Sequence, residues 1–202
     1  GGGGGHGNNP NGGSATAKKQ SDHGGGGPNV QASLQVGATS LVVLDAPNIA
    51  MRHGLNNRFS SKGVEIASNY FKSRNHRVVG FVPDYLLDLD KVGDRKRLAR
   101  VGLGDIRSSQ LPDDVLLLRK LCEDGTLIGT PPQDYDDSYC IRYAETHGGS
   151  VVTNDMYRDH VGKITNHRER KECLQWMRSH LISYTFVGDE FLPNPDFKFP
   201  SN

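Results

Sequence analysis

In Leu41-Val42-Val43-Leu44-Asp45, four consecutive apolar residues are followed directly by a carboxylate. A short continuous apolar run is typical of a strand that is buried on both faces, as the strands of a parallel sheet are. The next three residues, Ala46-Pro47-Asn48, predict a loop after this strand. A carboxylate without a partner at the edge of a buried sheet is energetically costly. Asp45 therefore indicates a functional site at the end of the strand.

Strands and helices alternate along the sequence that follows. Further strands are predicted at Val78 to Val82, Thr126 to Gly129, Ser150 to Thr153 and Ile182 to Val187. Apolar residues at helical spacing predict helices over residues 60–74, 112–123, 136–147 and 167–180. The charged, glycine-containing segment from Asp84 to Ser109 is predicted to be mostly loop. The alternation predicts an α/β fold with a mostly parallel sheet and helices on both of its faces.

The first 37 residues differ in composition from the rest of the chain. They are dominated by Gly, Asn, Ser and Gln, with the glycine runs Gly1 to Gly5 and Gly24 to Gly27. Such a segment buries too little apolar surface to order itself, so residues 1–37 are predicted to be a flexible tail or linker. With 202 residues, of which 35% are hydrophobic, the chain can bury one core. Residues 38–202 are predicted to form that single domain.

Composition also limits the classes of partner and compartment. A formal net charge of +1 gives no overall preference for nucleic acid or membrane, so partners have to be inferred from sites. The sequence has neither a signal peptide nor an apolar run of about 18 residues. It therefore predicts no membrane partner and a cytoplasmic location, with the nucleus as the open alternative. Cys122, Cys140 and Cys173 lack the paired spacing of a zinc module.

Three separate segments deliver acidic residues to the predicted carboxyl edge of the sheet. Asp45 ends the first strand with Asn48 close behind, Asp136 and Asp137 follow the third strand, and Asp155 and Asp159 follow the fourth. Ligand sites of parallel sheets lie beyond the carboxyl ends of the strands. Taken singly, most of these acids have an ordinary explanation as helix caps or surface residues. Their convergence predicts a shared functional site.

A divalent cation is the common solution to several carboxylates in one place. No His or Cys accompanies these acids, and hard oxygen ligands favour Mg²⁺, with Mn²⁺ as the alternative. Asn48 would add a neutral oxygen ligand or an orienting amide. A magnesium ion can polarise a phosphoryl oxygen and lower the pKa of a bound water, which favours phosphate chemistry. The number of ions stays open.

Two basic clusters flank the acidic segments and are candidates for binding a nucleic acid backbone. The first contains Lys96 and Arg97 after the second strand, and the second contains Lys163 and Arg168 after the last acids. Clustered Lys and Arg attract phosphates without sequence preference, although each cluster is equally typical of a solvated surface. Further candidates are Tyr85 and Tyr135 for base stacking and His53 and His160 for proton transfer.

Several motifs resemble the NYN/PIN-like ribonucleases of the Regnase family, the CCCH zinc-finger ribonucleases. They occur in the family's order, and the match runs from about Leu41 to Asp196. The motifs are Asp45-Ala-Pro-Asn48-Ile-Ala-Met, Phe81-Val82-Pro83, Tyr135-Asp136-Asp137, Val152-Thr-Asn154-Asp155-Met-Tyr157-Arg158-Asp159 and Tyr184-Thr-Phe186-Val187. The resemblance implies a PIN-like three-layer α/β/α sandwich. It also implies an Mg²⁺-dependent endoribonuclease of the mRNA turnover type, acting on single-stranded or stem-loop RNA.

The same resemblance implies roles for individual residues. By position in the motifs, Asn48 resembles the polar residue that accompanies the metal-site acids, and Arg158 resembles an arginine that contacts RNA. An ion pair from Arg158 to Asp155 or Asp159 is an equally good expectation, and the two roles are compatible. The residues that resemble the metal-site acids are Asp45, Asp136, Asp137, Asp155 and Asp159.

The chain departs from the family in two places. The family's basic loop before the paired aspartates is shortened here to Thr130-Pro-Pro-Gln-Asp-Tyr135. The CCCH zinc finger that accompanies the family's nuclease domain is absent from this sequence. An RNA-targeting domain or partner is therefore expected outside this chain, and a homodimer is an open alternative.

Three other functions stay open at this level. Thr130-Pro131-Pro132, Asp136-Asp137 and the motif around Asp155 also resemble the metallonuclease domain of protein-only RNase P, which would make precursor tRNA the substrate. A catalytically silent RNA-binding module would predict a missing acid, and none is missing. A phosphatase of small molecules would predict a second aspartate two residues after Asp45, where Pro47 stands.

Overall fold

A computed structural model of the chain describes residue 1 and residues 39–104, 107–131 and 139–200. Every element below belongs to the unit Gly37–Asn202. The predicted tail, residues 1–37, lies almost wholly outside the described ranges, so the domain boundary stays a prediction.

The centre of the fold is a five-stranded sheet. Its strands are β1 (Leu41–Asp45), β2 (Arg77–Pro83), β3 (Leu127–Thr130), β4 (Gly149–Val152) and β5 (Leu181–Ile182). They are ordered β3-β2-β1-β4-β5, and each neighbouring pair is parallel. Leu44 of β1 is in register with Gly80 on one side and Val152 on the other. The apolar run at Leu41 thus forms the central strand, which explains why it is buried on both faces.

Helices cover both faces of this sheet. They are α1 (Ala46–His53), α2 (Ser61–Lys72), α3 (Leu89–Arg100), α4 (Val115–Glu123), α5 (Tyr139–His147), α6 (Arg158–Lys163) and α7 (His167–His180). Val42 and Leu44 share a core cluster with buried residues of α1, α2 and α4. Leu41 and Val43 point the other way and pack with residues of α5 and with Trp176 of α7. The predicted α/β/α sandwich is confirmed.

The predicted last strand is in fact two strands. Leu181–Ile182 joins the parallel sheet as β5, whereas β6 (Tyr184–Val187) pairs with β7 (Glu190–Pro193) in an antiparallel hairpin. Gly188 has φ +59° in the connecting turn, a conformation that glycine adopts without steric cost. Phe191 of β7 contacts Tyr70 of α2 at a ring-centroid distance of 5.2 Å, which anchors the hairpin on the helix layer.

The prediction of a long loop from Asp84 to Ser109 was wrong. Asp84–Leu87 forms a 3₁₀ turn, and α3 follows it. The side chain of Asp88 caps α3 by accepting hydrogen bonds from the backbone N–H groups of Asp90 and Lys91, each at 3.0 Å. Val92 is the one residue of α3 that is buried, so the helix carries almost no apolar stripe to signal it in the sequence.

The sequence also missed α1 and misplaced the start of α4. Asp45 is the N-cap of α1, and Pro47 lies in its first turn, where a missing N–H is tolerated. Pro112, predicted for the first turn of α4, instead forms an isolated bridge with Phe59. Asp114 caps α4 by accepting from the N–H of Leu117 at 2.9 Å. The predicted start of the next helix, Asp136, lies outside the described residues.

Candidate active site

Asp45 ends β1 and is held by three hydrogen-bond donors. Its Oδ1 accepts from the backbone N–H of Asn48 at 3.3 Å. Its Oδ2 accepts from the hydroxyl of Thr153 at 2.9 Å and from the phenol of Tyr157 at 3.3 Å. Because β1 and β4 are neighbours, the residue that follows β4 lies beside the end of β1. The topology therefore brings Thr153 and Tyr157 to the carboxylate, and the first turn of α1 adds the N–H of Asn48.

Tyr157 supplies one of these donors from a buried position. Its side chain is only 3% exposed, and its backbone has φ 47°, a left-handed conformation that is uncommon for a bulky residue. Burial and then the neighbouring carboxylate of Asp45 raise the pKa of the Tyr157 phenol well above its ordinary value. The phenol therefore stays protonated and donates to Asp45.

Asn48 is held by a second network on the same edge of the sheet. Its Oδ1 accepts from the backbone N–H of Asn154 at 3.1 Å and from the phenol of Tyr184 at 2.7 Å. The carboxamide of Asn154 in turn donates to the carbonyl of Tyr184 at 2.9 Å and accepts from its N–H at 3.0 Å. Burial and then Asp45 raise the pKa of Tyr184, which keeps it a donor to Asn48. These bonds join α1, the segment after β4, and β6.

Asp155 and Asp159 lie in a cleft of about 560 Å³ at this edge. Oδ1 of Asp155 accepts from the N–H of Tyr157 at 2.7 Å, and its own N–H donates to the Thr153 hydroxyl at 3.0 Å. Asp159 is in the first turn of α6. The cleft is lined by Asn48, Asn154, Asp155, Met156, Tyr157, Arg158, Asp159, His160 and Lys163. Asp45 lies next to this lining, bonded to Tyr157 and to the backbone of Asn48.

The cleft combines these acids with basic side chains. Arg158 and Lys163 both line it. Nη2 of Arg158 contacts Sδ of Met156 at 3.6 Å, and in the described part of the chain Arg158 forms no ion pair with Asp155 or Asp159. The ion pair expected from the sequence is thus not formed with either acid, and the role of Arg158 in contacting RNA stays a prediction.

The other predicted basic residues do not line the cleft. Nζ of Lys96, on α3, donates to the carbonyl of Pro112 at 2.6 Å. Arg97 pairs with Asp94 one helical turn away, and Arg168 on α7 pairs with Glu172 at 2.9 Å. Arg97 and Arg168 thus have partners on their own exposed helix surfaces, whereas Lys96 joins α3 to the segment before α4.

The proposed metal ligands are only partly visible. Asp136, Asp137 and Tyr135 lie outside the described residues. Within the ranges that the structure describes, no three His, Cys, Asp or Glu side chains come together as a metal site. The donors that do meet here are carboxylate and carboxamide oxygens, the chemistry that Mg²⁺ prefers. The full ligand set stays a prediction.

Sequence reasoning missed the residues that hold the acids in place. Thr153 and Tyr157 appeared only within a family motif, and the polar run directly after the buried strand β4 was their one independent signal. Tyr184 likewise appeared in a family motif, Tyr184-Thr-Phe186-Val187, and otherwise only as a residue of the predicted last strand. The two histidines that the sequence offered for proton transfer lie in different places. His160 lines the cleft, whereas His53 does not and is hydrogen-bonded to Ser60 at 2.8 Å and to Asp189 at 3.1 Å.

A comparison with known protein families finds one match that covers most of the chain. The model described as Zc3h12a-like Ribonuclease NYN domain matches residues 38–200. In the part of the chain that is described, no helix is both long and apolar enough to span a membrane.

Two solved structures of one plant enzyme share the fold. One is the crystal structure of nuclear proteinaceous RNase P 2 from Arabidopsis thaliana, with a TM-score of 0.51, 20% identity and coverage of 78% of this chain. The other is the nuclear protein-only RNase P 2 of Arabidopsis thaliana, with a TM-score of 0.53, 18% identity and 82% coverage. The match spans 30% and 32% of those longer chains.

Proposed function

Because the chain belongs to the Zc3h12a-like ribonuclease NYN domain family, we propose that it is an Mg²⁺-dependent endoribonuclease that hydrolyses single-stranded or stem-loop RNA. Family membership supports nuclease activity and RNA as the substrate. The observation that carries the finer proposal is the meeting of Asp155, Asp159 and Arg158 in one cleft, beside the carboxylate of Asp45.

The metal would be held by Asp45 and Asp155 together with Asp136 and Asp137, and Mn²⁺ is the alternative to Mg²⁺. Asp159 and Asn48 would complete the site through water or by orienting its ligands. When bound, the ion would activate a water molecule and neutralise charge on the phosphate.

Residues of the chain itself would orient the metal ligands, bind the phosphate and supply a proton. Thr153 and Tyr157 hold the Asp45 carboxylate in one orientation, so it does not have to be reordered during the reaction. Arg158 and Lys163 hold the phosphate through charge-assisted hydrogen bonds. His160 lines the same cleft and can protonate the leaving oxygen.

Substrate choice is a separate matter. The RNase P structures are 18–20% identical to this chain, which shows a shared fold but says nothing of the substrate. Precursor tRNA is therefore included in the test as a second substrate and is not proposed as the function. A homodimer and an RNA-targeting partner are further proposals. Cleavage that rises faster than the protein concentration would support the homodimer.

The test is cleavage of an end-labelled stem-loop RNA with Mg²⁺, with Mn²⁺, and with EDTA. The parent chain is compared with Asp45→Asn and Asp155→Asn, which each remove a charge with almost no change of shape. Internal cuts that require metal are expected in the parent, and a loss of at least about 100-fold in rate is expected in both variants. Products should carry 5′-phosphate and 3′-hydroxyl ends, because water attacks the phosphorus, the bond to the 3′ oxygen breaks, and that oxygen leaves with a proton.

Asp196→Asn is the matched control, since Asp196 is exposed and does not line the cleft. Intact RNA that still binds would contradict the proposal and favour a silent RNA-binding module. Cleavage of a precursor tRNA at one position, with the stem-loop left intact, would favour the RNase P alternative.

A further inference from the structure

A smaller pocket of about 390 Å³ lies beside the cleft. The cleft and the pocket share Asn48 and Asn154, so an RNA strand bound in the cleft can continue into the pocket. The remaining walls of the pocket are Met51, Arg52, Asn56 and Tyr184. Its volume is in the range of about 300–1,000 Å³ that is usual for small-molecule sites.

The free hydrogen-bonding groups of this pocket are mostly donors. Oδ1 of Asn48 already accepts two hydrogen bonds, whereas its Nδ2 has no partner in the described ranges. Among the same residues, the guanidinium of Arg52 forms no ion pair and the carboxamide of Asn56 no hydrogen bond. The carboxamide of Asn154 is fully used by the backbone of Tyr184. An incoming group therefore meets the donors of Asn48 and Arg52, together with the carboxamide of Asn56, whose Nδ2 adds a further donor.

The loop that carries Asn56 is held in a definite conformation. The N–H of Asn56 donates to the carbonyl of Met51 at 2.8 Å, and the N–H of Asn57 donates to Gly54 at 3.0 Å. Leu55 and Asn56 have φ values of 56° and 59°. Two successive left-handed residues that are not glycine are uncommon, and such strain persists where the surroundings determine it. The Asn56 side chain is thus presented to the pocket by an ordered turn.

We propose that this pocket binds one base of the RNA, next to the phosphate that is cleaved, and prefers a keto base to its amino counterpart. The proposal rests on the ribonuclease function proposed above. The O4 of uracil or the O6 of guanine can accept from Asn48 and Arg52, as arginine does from guanine in nucleic acid readout. The amino group of cytosine or adenine would instead place a donor against donors. Met51 and the ring of Tyr184 supply apolar walls for the plane of the base.

Uridine and cytidine make a pair of probes of nearly the same shape, because uridine has an oxo group at position 4 and an N3–H, whereas cytidine has an amino group at position 4 and an unprotonated N3. Each is placed once in the middle of an otherwise uniform oligoadenylate, and binding is measured by fluorescence anisotropy in EDTA. The uridine RNA should bind at least about fivefold more tightly, the lower end of what one good base contact discriminates. In Mg²⁺ the main cut should lie beside the uridine.

Two variants each remove one polar group of the pocket and leave Asn48 and the acids untouched. Arg52→Met keeps an unbranched side chain, and Asn56→Gly suits the left-handed backbone at that position. In both variants the preference for the uridine RNA over the cytidine RNA should fall, and in Arg52→Met it should fall to less than about twofold, because arginine supplies the main contact to a keto oxygen. Arg58→Met is the control, because Arg58 is an exposed arginine near the same turn and does not line the pocket. It should keep the preference of the parent.

The outcomes separate the base pocket from the nuclease. Equal binding and equal cutting of the uridine and cytidine RNAs by the parent chain would overturn the base pocket, even if the RNA is cleaved. A uridine preference that is undiminished in Arg52→Met and Asn56→Gly would overturn it as well. A preference in binding that these variants reduce, without any cleavage, would keep the pocket and overturn the nuclease.

Discussion

Tyr157 combines a strained left-handed backbone conformation with a hydrogen bond from its phenol to Asp45. A left-handed conformation costs a non-glycine residue of order 1–3 kcal/mol, and it persists only where the surroundings enforce it. Here the buried ring and the bond from the phenol to Asp45 enforce it. The same turn starts α6, so the geometry of Tyr157 also sets where Arg158 and Asp159 lie. One residue thus positions acids from two segments.

Replacing Tyr157 by Phe removes one donor to Asp45 and keeps the ring. We expect kcat for RNA cleavage to fall about tenfold, since a hydrogen bond to a charged group contributes about 1.5–3 kcal/mol and two donors remain. KM should stay unchanged, because the phenol does not hold the RNA. Tyr143→Phe, on α5 and away from the cleft, is the control. An unchanged kcat in Tyr157→Phe would show that the bond does not position Asp45.

Two glycines should respond to alanine with opposite signs. A Cβ added at Gly63 would come within 2.4 Å of the Cβ of His53, so one of the helices α1 and α2 must shift. Overpacking of this kind costs about 1–3 kcal/mol. At Gly93 in α3 the nearest atom is Nη1 of Arg97 at 4.0 Å, and alanine there should stabilise by about 0.5–1 kcal/mol. Urea unfolding of Gly63→Ala and Gly93→Ala measures both; changes of the same sign would contradict the packing argument.

The short helix α6 contributes more to the cleft than either longer basic helix. Four of its six residues, including Arg158 and Lys163, line the cleft. By contrast, Arg97 on α3 and Arg168 on α7 are paired with acids of their own helices. The number of basic residues on a helix therefore does not show how many of them line the cleft. The position of the helix relative to the carboxyl edge of the sheet decides which basic side chains can contact a bound phosphate.

Lys163→Gln should weaken RNA binding and lower its dependence on salt. Loss of one phosphate contact should reduce the slope of log K against log salt concentration by about 0.7 for a single strand. Arg168→Gln, the control, should leave the slope unchanged, because Arg168 is paired with Glu172 outside the cleft. Titrations at several salt concentrations, with EDTA present, check this. Equal slopes for the parent and Lys163→Gln would exclude the contact.

Elements were predictable from the sequence where burial alone shapes the pattern. Strand β1 is a continuous apolar run, and β2 and β4 are rich in buried valine, so the position of Asp45 at the end of the first followed directly. Helix α1 was missed because Pro47 resembles a loop residue, and α3 because it buries only Val92. The hydrogen bonds of Tyr184 depend on the hairpin of β6 and β7, a tertiary arrangement that no local pattern encodes.

At the level of the whole molecule, the end of the described chain packs on the start of β2. Phe199 lies against the ring of His76 at a centroid distance of 4.5 Å, and Phe71 of α2 contacts it at 6.1 Å. Burial and then the charge of Arg74 lower the pKa of His76 below its ordinary value of about 6.5. The fold therefore favours the neutral ring.

This arrangement gives stability a definite dependence on pH. The unfolded chain binds a proton at His76 more readily than the folded chain, so the contribution is complete above about pH 6.5 and is lost as the pH falls toward the lowered pKa. Urea midpoints at pH 7.5 and pH 5.5 should therefore differ more for the parent than for His76→Phe. His147→Gln, at the exposed end of α5, should behave as the parent does. An identical pH dependence in the parent and His76→Phe would exclude this role.

The N–H of Tyr184 ends on the side chain of Asn154, where a neighbouring strand would normally offer a backbone carbonyl. Hydrogen–deuterium exchange at this single amide therefore reports local opening of the site. The proton exchanges only when its hydrogen bond to the Asn154 carboxamide breaks, and the same carboxamide also bonds to the carbonyl of Tyr184. The exchange rate therefore reports how often β6 separates from the segment after β4. Nuclear magnetic resonance can measure this exchange rate in the free protein, before any RNA is added.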